Sequence, residues 1–220
     1  MAKRPDARSC RLCGRYLPQL AFFCETCLQR FVSLPQPRCA RCQASLLPNG
    51  RCPDCPPDGF PFDQVMAIGA YAGLLREAIY RLKFSGDRNV ADPLGRWLAA
   101  CVGRQRRAFD VITWAPIPAQ HLMQRGYNQA EVLACNLARY LWLPPVSLLN
   151  REDAYLPHAL SSRKQRRKPL LIAATRRLKQ RHVLLVDDVL TTGATAAGCA
   201  QALLLDAGAA RVSVAVIARA

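Results

Sequence analysis

Eight cysteines fall within the first 55 residues as four Cys-x-x-Cys pairs, Cys10/Cys13, Cys24/Cys27, Cys39/Cys42 and Cys52/Cys55, separated by loops of ten, eleven and nine residues. A Cys-x-x-Cys step places two thiolates on one tight turn, and two such turns complete a tetrahedral four-sulfur site. Four pairs therefore make two closed Zn²⁺ sites, each without an open coordination position and so structural in kind. The simplest grouping joins neighbouring pairs, Cys10, Cys13, Cys24 and Cys27 around one ion and Cys39, Cys42, Cys52 and Cys55 around the other; a cross-braced grouping uses the same residues. The segment around them is rich in Pro and Arg and lacks helical or strand periodicity, so metal is expected to set its fold. Thiols used in this way belong to a reducing compartment, which points to the cytoplasm. The remaining cysteines, Cys101, Cys135 and Cys199, lie in apolar helical surroundings and are expected to be small buried hydrophobes.

The start, MAKRPDARSC, has no apolar core of a leader, and no window approaches the roughly 18 uninterrupted apolar residues of a membrane span. A stiff linker, Pro56 to Asp63, separates the Cys-rich module (1–59) from an α/β domain (60–220). In that domain VMAIGAY reads as a strand, LLREAIYRLKF and NVADPLGRWLAACVG as helices, DVITWAPIP as a strand entering a proline-bounded loop, and NQAEVLACNLARYLWL as a helix. HVLLVDD is the continuous apolar run of a buried parallel strand, followed by a small-residue helix and a last strand, RVSVAVIA. Strands alternating with helices predict a mainly parallel sheet covered on both faces.

The segment VLLVDDVLTTGAT, Val183 to Thr195, carries the chemistry. A buried parallel strand delivers its C-terminal end to the crevice where open α/β sheets bind ligands. Asp187 and Asp188 stand there. The turn that follows opens a helix, so backbone N–H groups and the helix dipole, with the hydroxyls of Thr191, Thr192 and Thr195, form an anion cradle. Two carboxylates beside a phosphate need a different partner, and ribose hydroxyls or Mg²⁺ supply one. This motif resembles the phosphoribosyl pyrophosphate (PRPP) motif of type I phosphoribosyltransferases. The resemblance implies that Asp187, Asp188, Thr191, Thr192, Gly193, Ala194 and Thr195 bind PRPP with Mg²⁺. Enzymes of that class acting on 6-oxopurines carry an aspartate where Thr191 stands, which argues against a hypoxanthine or guanine enzyme.

A second motif is APIPAQHLMQRGYNQAEVLA, residues 115–134, in which Pro116 and Pro118 shape the strand exit and His121 and Arg125 can reach an anion. With YAGLLREAIYRLKFSGDR, Tyr71 to Arg88, and the Cys-rich start, the chain resembles the ComF family, phosphoribosyltransferase-like proteins of natural competence and DNA utilisation. The resemblance spans essentially the whole chain. It carries the RGYNQ hallmark to Arg125, Gly126, Asn128 and Gln129 and the KFxG element to Lys83 and Gly86. It implies a type I phosphoribosyltransferase-like α/β fold with a mainly parallel sheet behind a small zinc-ribbon module. Asp187, Asp188, Arg125 and Lys83 would be catalytic. Where the family typically has a Thr, a Gln and an Arg-x-x-Asn between the two motifs, this chain has Tyr155, His158 and Lys168, with Arg163 and Arg167 as retained basic residues.

The formal charge is +16, falling to +12 if eight thiolates hold two Zn²⁺. Nine of the nineteen residues from 163 to 181 are Lys or Arg and none is acidic, so an anionic partner is expected. Three functions fit. The first is a ComF-like protein that binds PRPP or another phosphoribosyl ligand and serves DNA uptake or utilisation, with phosphoribosyl transfer to an acceptor the sequence does not name. The second is a non-catalytic module binding single-stranded DNA, aided by Arg11, Arg15, Arg38, Arg41 and Arg51 around the ribbons. The third is a phosphoribosyl-ligand sensor acting on a protein partner.

Overall fold

The computed structural model describes residues 8–19, 21–151 and 172–220. Its centre is a four-stranded sheet of β1 (Val65–Ala70), β2 (Val111–Trp114), β5 (His182–Leu190) and β6 (Arg211–Arg219) in the order β1-β6-β5-β2, every neighbour parallel. The register aligns Val183 with Val212 and Val186 with Ala215 on one side and Val183 with Val111 on the other, so β5 is paired along both edges. Successive side chains of a strand point to opposite faces. Leu184 and Val186 accordingly enter one core with Ala215 and Ile217, whereas Val183 and Leu185 enter a second with Val212, Val214 and Val216. This two-faced burial is why β5 and β6 read as continuous apolar runs.

The first face carries α2 (Gly73–Phe84), α3 (Ala91–Val102) and α5 (Gln129–Leu141), which bury Leu74, Ile79, Leu94, Leu98, Leu133 and Leu137 at helical spacing. The second face carries α6 (Ala194–Leu205) and a small antiparallel pair, β3 (Leu149–Arg151) with β4 (Ile172–Ala174). The helices and strands expected from periodicity are all present. Sequence patterning did not reveal the β3/β4 pair or α4 (Ala119–Arg125), which occupies part of the proline-bounded loop. β5 also runs two residues past the acid pair, to Leu190.

The Cys-rich module packs into the same first core. Leu12, Leu17 and Phe23 are buried in a cluster that continues through Leu74, Ile79 and Leu98. Trp97 of α3 is the point of attachment, with its ring 5.1 Å from that of Phe23 and 6.0 Å from that of Phe31, both edge-on. A one-turn helix, α1 (Glu25–Leu28), follows Cys24. Backbone bonds from Ala70 N–H to the Val32 carbonyl (3.0 Å) and from Val65 N–H to the Arg41 carbonyl (2.7 Å) tie the module to both ends of β1.

Of the three cysteines outside the pairs, Cys199 is fully buried as expected, but Cys101 and Cys135 are exposed. Both sit on apolar-looking helices, and it is the face each occupies, not the neighbouring composition, that decides burial.

Trp97→Ala removes the contact between module and helix. The ring is partly buried, so the loss should fall below the roughly 3–5 kcal/mol of a fully buried aromatic, at about 2–3 kcal/mol. Equilibrium urea unfolding checks this through the midpoint.

Candidate functional site at the C-terminal edge of the sheet

Alternation along β5 sends its two acids to opposite faces. Asp188 continues the side of Leu184 and Val186, beneath α2 and α5, and is only 4% exposed. Lys83, one residue from the end of α2, forms an ion pair with its Oδ2. Gln129, the first residue of α5, donates to Oδ1 at 3.3 Å and accepts from Arg125 Nη1 at 2.9 Å. Lys83, Asp188, Gln129 and Arg125, distant in sequence, thus form one continuous polar chain. A buried charge is tolerated only with such partners.

Asp187 continues the side of Val183 and Leu185, towards α6, and is half-buried. Its Oδ1 accepts the Asp188 backbone N–H at 2.8 Å. Burial and then the adjacent Asp188 charge hold its pKa well above the usual carboxylate range, with the backbone hydrogen bond and Lys83 opposing the shift. The Cys199 thiol on α6 is raised by burial first and by the charge of Asp187 second. Strand alternation, with Val183 and Leu185 in the same core as Cys199, places Asp187 on the α6 side.

The loop after β5 leads directly into α6. Thr191, Thr192 and Ala194 are exposed, Thr195 is half-buried, and α6 begins at Ala194. Gly193 has φ +81°, a left-handed conformation that favours glycine. A Cβ there would stand 2.8 Å from the ring of Phe60, a linker residue stacked on Phe62 at 4.7 Å. The Phe60 ring thus lies against the backbone at Gly193; nothing in its local sequence signalled that contact.

The RGYNQ segment is mostly a splice. α4 ends at Arg125, and Gly126 caps it in a left-handed conformation (φ +72°) with its N–H on the Leu122 carbonyl at 2.8 Å. Tyr127 is buried, donates its hydroxyl to the Leu82 carbonyl of α2, and carries the Arg88 guanidinium 4.2 Å above its ring. Asn128 caps α5 by accepting the Ala130 N–H at 2.9 Å, and its amide donates to the Ala115 carbonyl at the exit of β2, also at 2.9 Å. Lys83, Phe84, Gly86, Gln124, Arg125 and Tyr127 line a cleft of about 300 Å³. His121, a candidate anion ligand by sequence, does not line it.

In the module, the sulfurs of Cys10, Cys13, Cys24 and Cys27 lie within 4.8 Å of one another, and so do those of Cys39, Cys42, Cys52 and Cys55. Neighbouring pairs are grouped, and the cross-braced arrangement is not adopted. Individual separations of 3.6 Å (Cys13–Cys24), 3.7 Å (Cys39–Cys55) and 3.4 Å (Cys42–Cys52) approach the roughly 3.8 Å spanned by two ligands of a tetrahedral Zn–S₄ centre. Burial raises the Cys10 thiol, but backbone N–H bonds from Cys13, Cys24 and Leu12 outweigh it and bring it to about 6. Burial and the neighbouring thiols push Cys27 and Cys55 the other way. Each cluster is compatible with structural zinc, with no open position for substrate.

No family model matches the chain. Among curated proteins, the DNA utilization protein YhgH of Escherichia coli (strain K12) is 37% identical over 181 residues, which cover 77% of each chain. Competence protein F of Haemophilus influenzae is 31% identical over 185 residues, 78% of this chain and 80% of that one. Competence protein ComFC of Bacillus subtilis is 25% identical over 207 residues, 89% of this chain and 82% of that one.

The chain belongs to the ComF family.

Among solved structures, a purine phosphoribosyltransferase from Pyrococcus horikoshii Ot3 aligns with a TM-score of 0.37 and 16% identity, over 60% of this chain and 83% of that one. In this ComF-family protein the mainly parallel α/β unit follows two Cys₄ groups, as its sequence implied. The departures from the family pattern, Tyr155, His158 and Lys168, and the retained Arg163 and Arg167 lie outside the described residues. No helix among the described residues is long and apolar enough to cross a membrane.

Two substitutions test the site of this ComF protein. Asn128→Ala removes a helix cap and leaves a buried carbonyl unpaired, which should cost about 2–4 kcal/mol in chemical denaturation. Asp187 has a folded-state pKa above its unfolded value of about 3.9, so the stability it contributes is full below that pH and is lost as pH rises through the raised native value. Asp187→Asn keeps the acceptor for the Asp188 N–H and removes this loss. Its melting temperature should exceed that of the wild type at pH 7, with the gap narrowing towards pH 4, as followed by circular dichroism across that range.

Proposed function

We propose that this protein binds a phosphoribosyl ligand, PRPP with Mg²⁺, at the end of β5 and serves DNA uptake or utilisation in the cytoplasm. The observation that carries the reading is the half-buried Asp187 followed directly by the exposed Thr191–Thr192 turn and the α6 N-terminus. In this reading the Thr191–Thr195 amides and hydroxyls hold the 5-phosphate. Asp187 is the carboxylate that can face the ribose hydroxyls or an accompanying Mg²⁺, because both oxygens of Asp188 are engaged by Lys83 and Gln129. Asp188 then acts by holding Lys83 in the cleft beside Arg125. An ammonium has three donors, so Lys83 can keep Asp188 and still bind a diphosphate.

If transfer takes place, the C1–oxygen bond to diphosphate breaks and a bond from C1 to the acceptor forms. Asp187 stabilises the positive charge that develops on the ring, and Lys83 with Arg125 neutralises the departing diphosphate. A sensor of the same ligand would use the same residues without turnover, and a product assay separates the two.

A second reading, a module for single-stranded DNA, is favoured by the aromatic side chains of Tyr80 and Phe84, 56% and 62% exposed on α2 beside this cationic cleft. Stacked bases over basic residues are the usual mode for single strands. Calorimetric titration with PRPP and Mg²⁺ tests the leading reading: specific heat of binding in the wild type, lost in Asp187→Ala/Asp188→Ala. Absence of that heat, with salt-dependent DNA binding that survives the double substitution, would replace it with the second.

A further inference from the structure

Arg219, at the end of β6, is 6% exposed and connects three parts of the protein that no sequence motif links. Its Nε donates to the carbonyl of Cys42, in the first knuckle of the second Cys₄ cluster, at 3.2 Å. Its Nη2 pairs with Asp54, which lies between Cys52 and Cys55 in the second knuckle of that cluster. Its Nη1 donates at 3.2 Å to the carbonyl of Leu190, the residue immediately before the Thr191–Thr195 loop. The planar guanidinium supplies these donors in fixed directions, so the positions of the three partners are linked. The Leu190 carbonyl also accepts the Ala220 N–H at 3.0 Å.

A second brace runs the same way. The chain leaves Cys55 through the linker and reaches Phe60, whose ring fills the space where a side chain of Gly193 would be. The Arg41 carbonyl, between Cys39 and Cys42, accepts the Val65 N–H at 2.7 Å, and the Arg41 guanidinium closes over Gly59. The first cluster, Cys10 to Cys27, instead lies in the core with α2 and α3, on the other face of the sheet.

We infer that Arg219 is a positioning residue through which the second Cys₄ cluster, but not the first, holds the Thr191–Thr195 loop in its anion-binding form. Metal in that cluster and an anion in the loop then favour each other, and the coupling is reciprocal. This rests on the phosphoribosyl reading for the identity of the anion, but the link between cluster and loop does not.

Hydrogen exchange read by mass spectrometry on the full zinc-loaded chain tests the link without any ligand. Asp54 has a side chain 43% exposed, so Asp54→Ala cuts one arm of Arg219 at the surface. Asp54→Ala, Arg219→Lys and Cys52→Ser should each speed exchange across residues 190–195 and leave residues 10–27 unchanged. Titration of the same proteins with ribose 5-phosphate should show affinity weakened about five- to tenfold, the lower part of the usual range for coupled sites. Unchanged exchange across 190–195 in Asp54→Ala overturns the inference, including where Cys52→Ser loosens the whole chain. Equal acceleration in residues 10–27 also overturns it, because the effect would then be general destabilisation. If the loop responds but ribose 5-phosphate does not bind the wild type, the coupling stands and the phosphoribosyl reading falls.

Discussion

A carboxylate at the end of a doubly paired strand, beneath two helices, cannot stay charged without a partner, and the ion pair of Asp188 with Lys83 meets that requirement. Removing one member of a buried pair typically costs about 3–5 kcal/mol, because the other is left uncompensated. Much of the local architecture follows from keeping the pair intact. α2 must end where Lys83 reaches the strand, and α5 must begin where Gln129 reaches the other carboxylate oxygen. The Tyr127 hydroxyl on the Leu82 carbonyl and the Asn128 amide on the Ala115 carbonyl hold those helix ends in register with each other and with β2. The cleft that contains Lys83 and Arg125 is the space these constraints leave open.

The Cys-rich module looks separable in composition, yet its apolar residues belong to the core of the α/β unit. Leu12, Leu17 and Phe23 are too few to form an interior of their own, and they gain one by sharing the face of the sheet covered by α2 and α3. The two clusters contribute differently. The first adds to that core, whereas the second stands at the C-terminal end of β6, next to the strand ends where the candidate site lies. A structural metal in either would exchange conformational entropy of a loop-rich segment for four fixed bonds, which a segment without periodic apolar patterning cannot obtain from packing alone.

The sequence made legible those features that obey a local period or spacing. A continuous apolar run marks β5, helical spacing marks α2, α3 and α5, small-residue composition after β5 marks α6, and the Cys-x-x-Cys steps mark both clusters with neighbouring pairs as the simplest grouping. Features that depend on contacts far apart in sequence were not legible. Phe60 meets the loop at Gly193, more than a hundred residues away, and Arg219 meets Leu190 across a separation of 29 residues, and neither carries a local mark of that contact. The exposure of Cys101 and Cys135 is not legible in sequence, because neighbouring apolar residues do not tell which way a helix faces. The division of work between Asp187 and Asp188 was available in principle, since adjacent residues of a strand must point apart. What composition could not supply was which face held Lys83.

That division gives the acid pair its physical sense. On the α6 side, Asp187 shares its face with a loop of exposed hydroxyls and a helix N-terminus, which favour an anion. On the α2 and α5 side, Asp188 fixes an ammonium near a guanidinium, which also favours an anion. The strand end is therefore acidic at its centre and favourable to anions on both flanks. The phosphoribosyl ligand proposed above, with negative charge at its two ends and hydroxyls between them, would follow that order. Burial and then the neighbouring Asp188 charge disfavour the ionised form of Asp187. Under the reading proposed above, ribose hydroxyls or Mg²⁺ would be the partners that favour the ionised form of Asp187, while Asp188 alone satisfies Lys83.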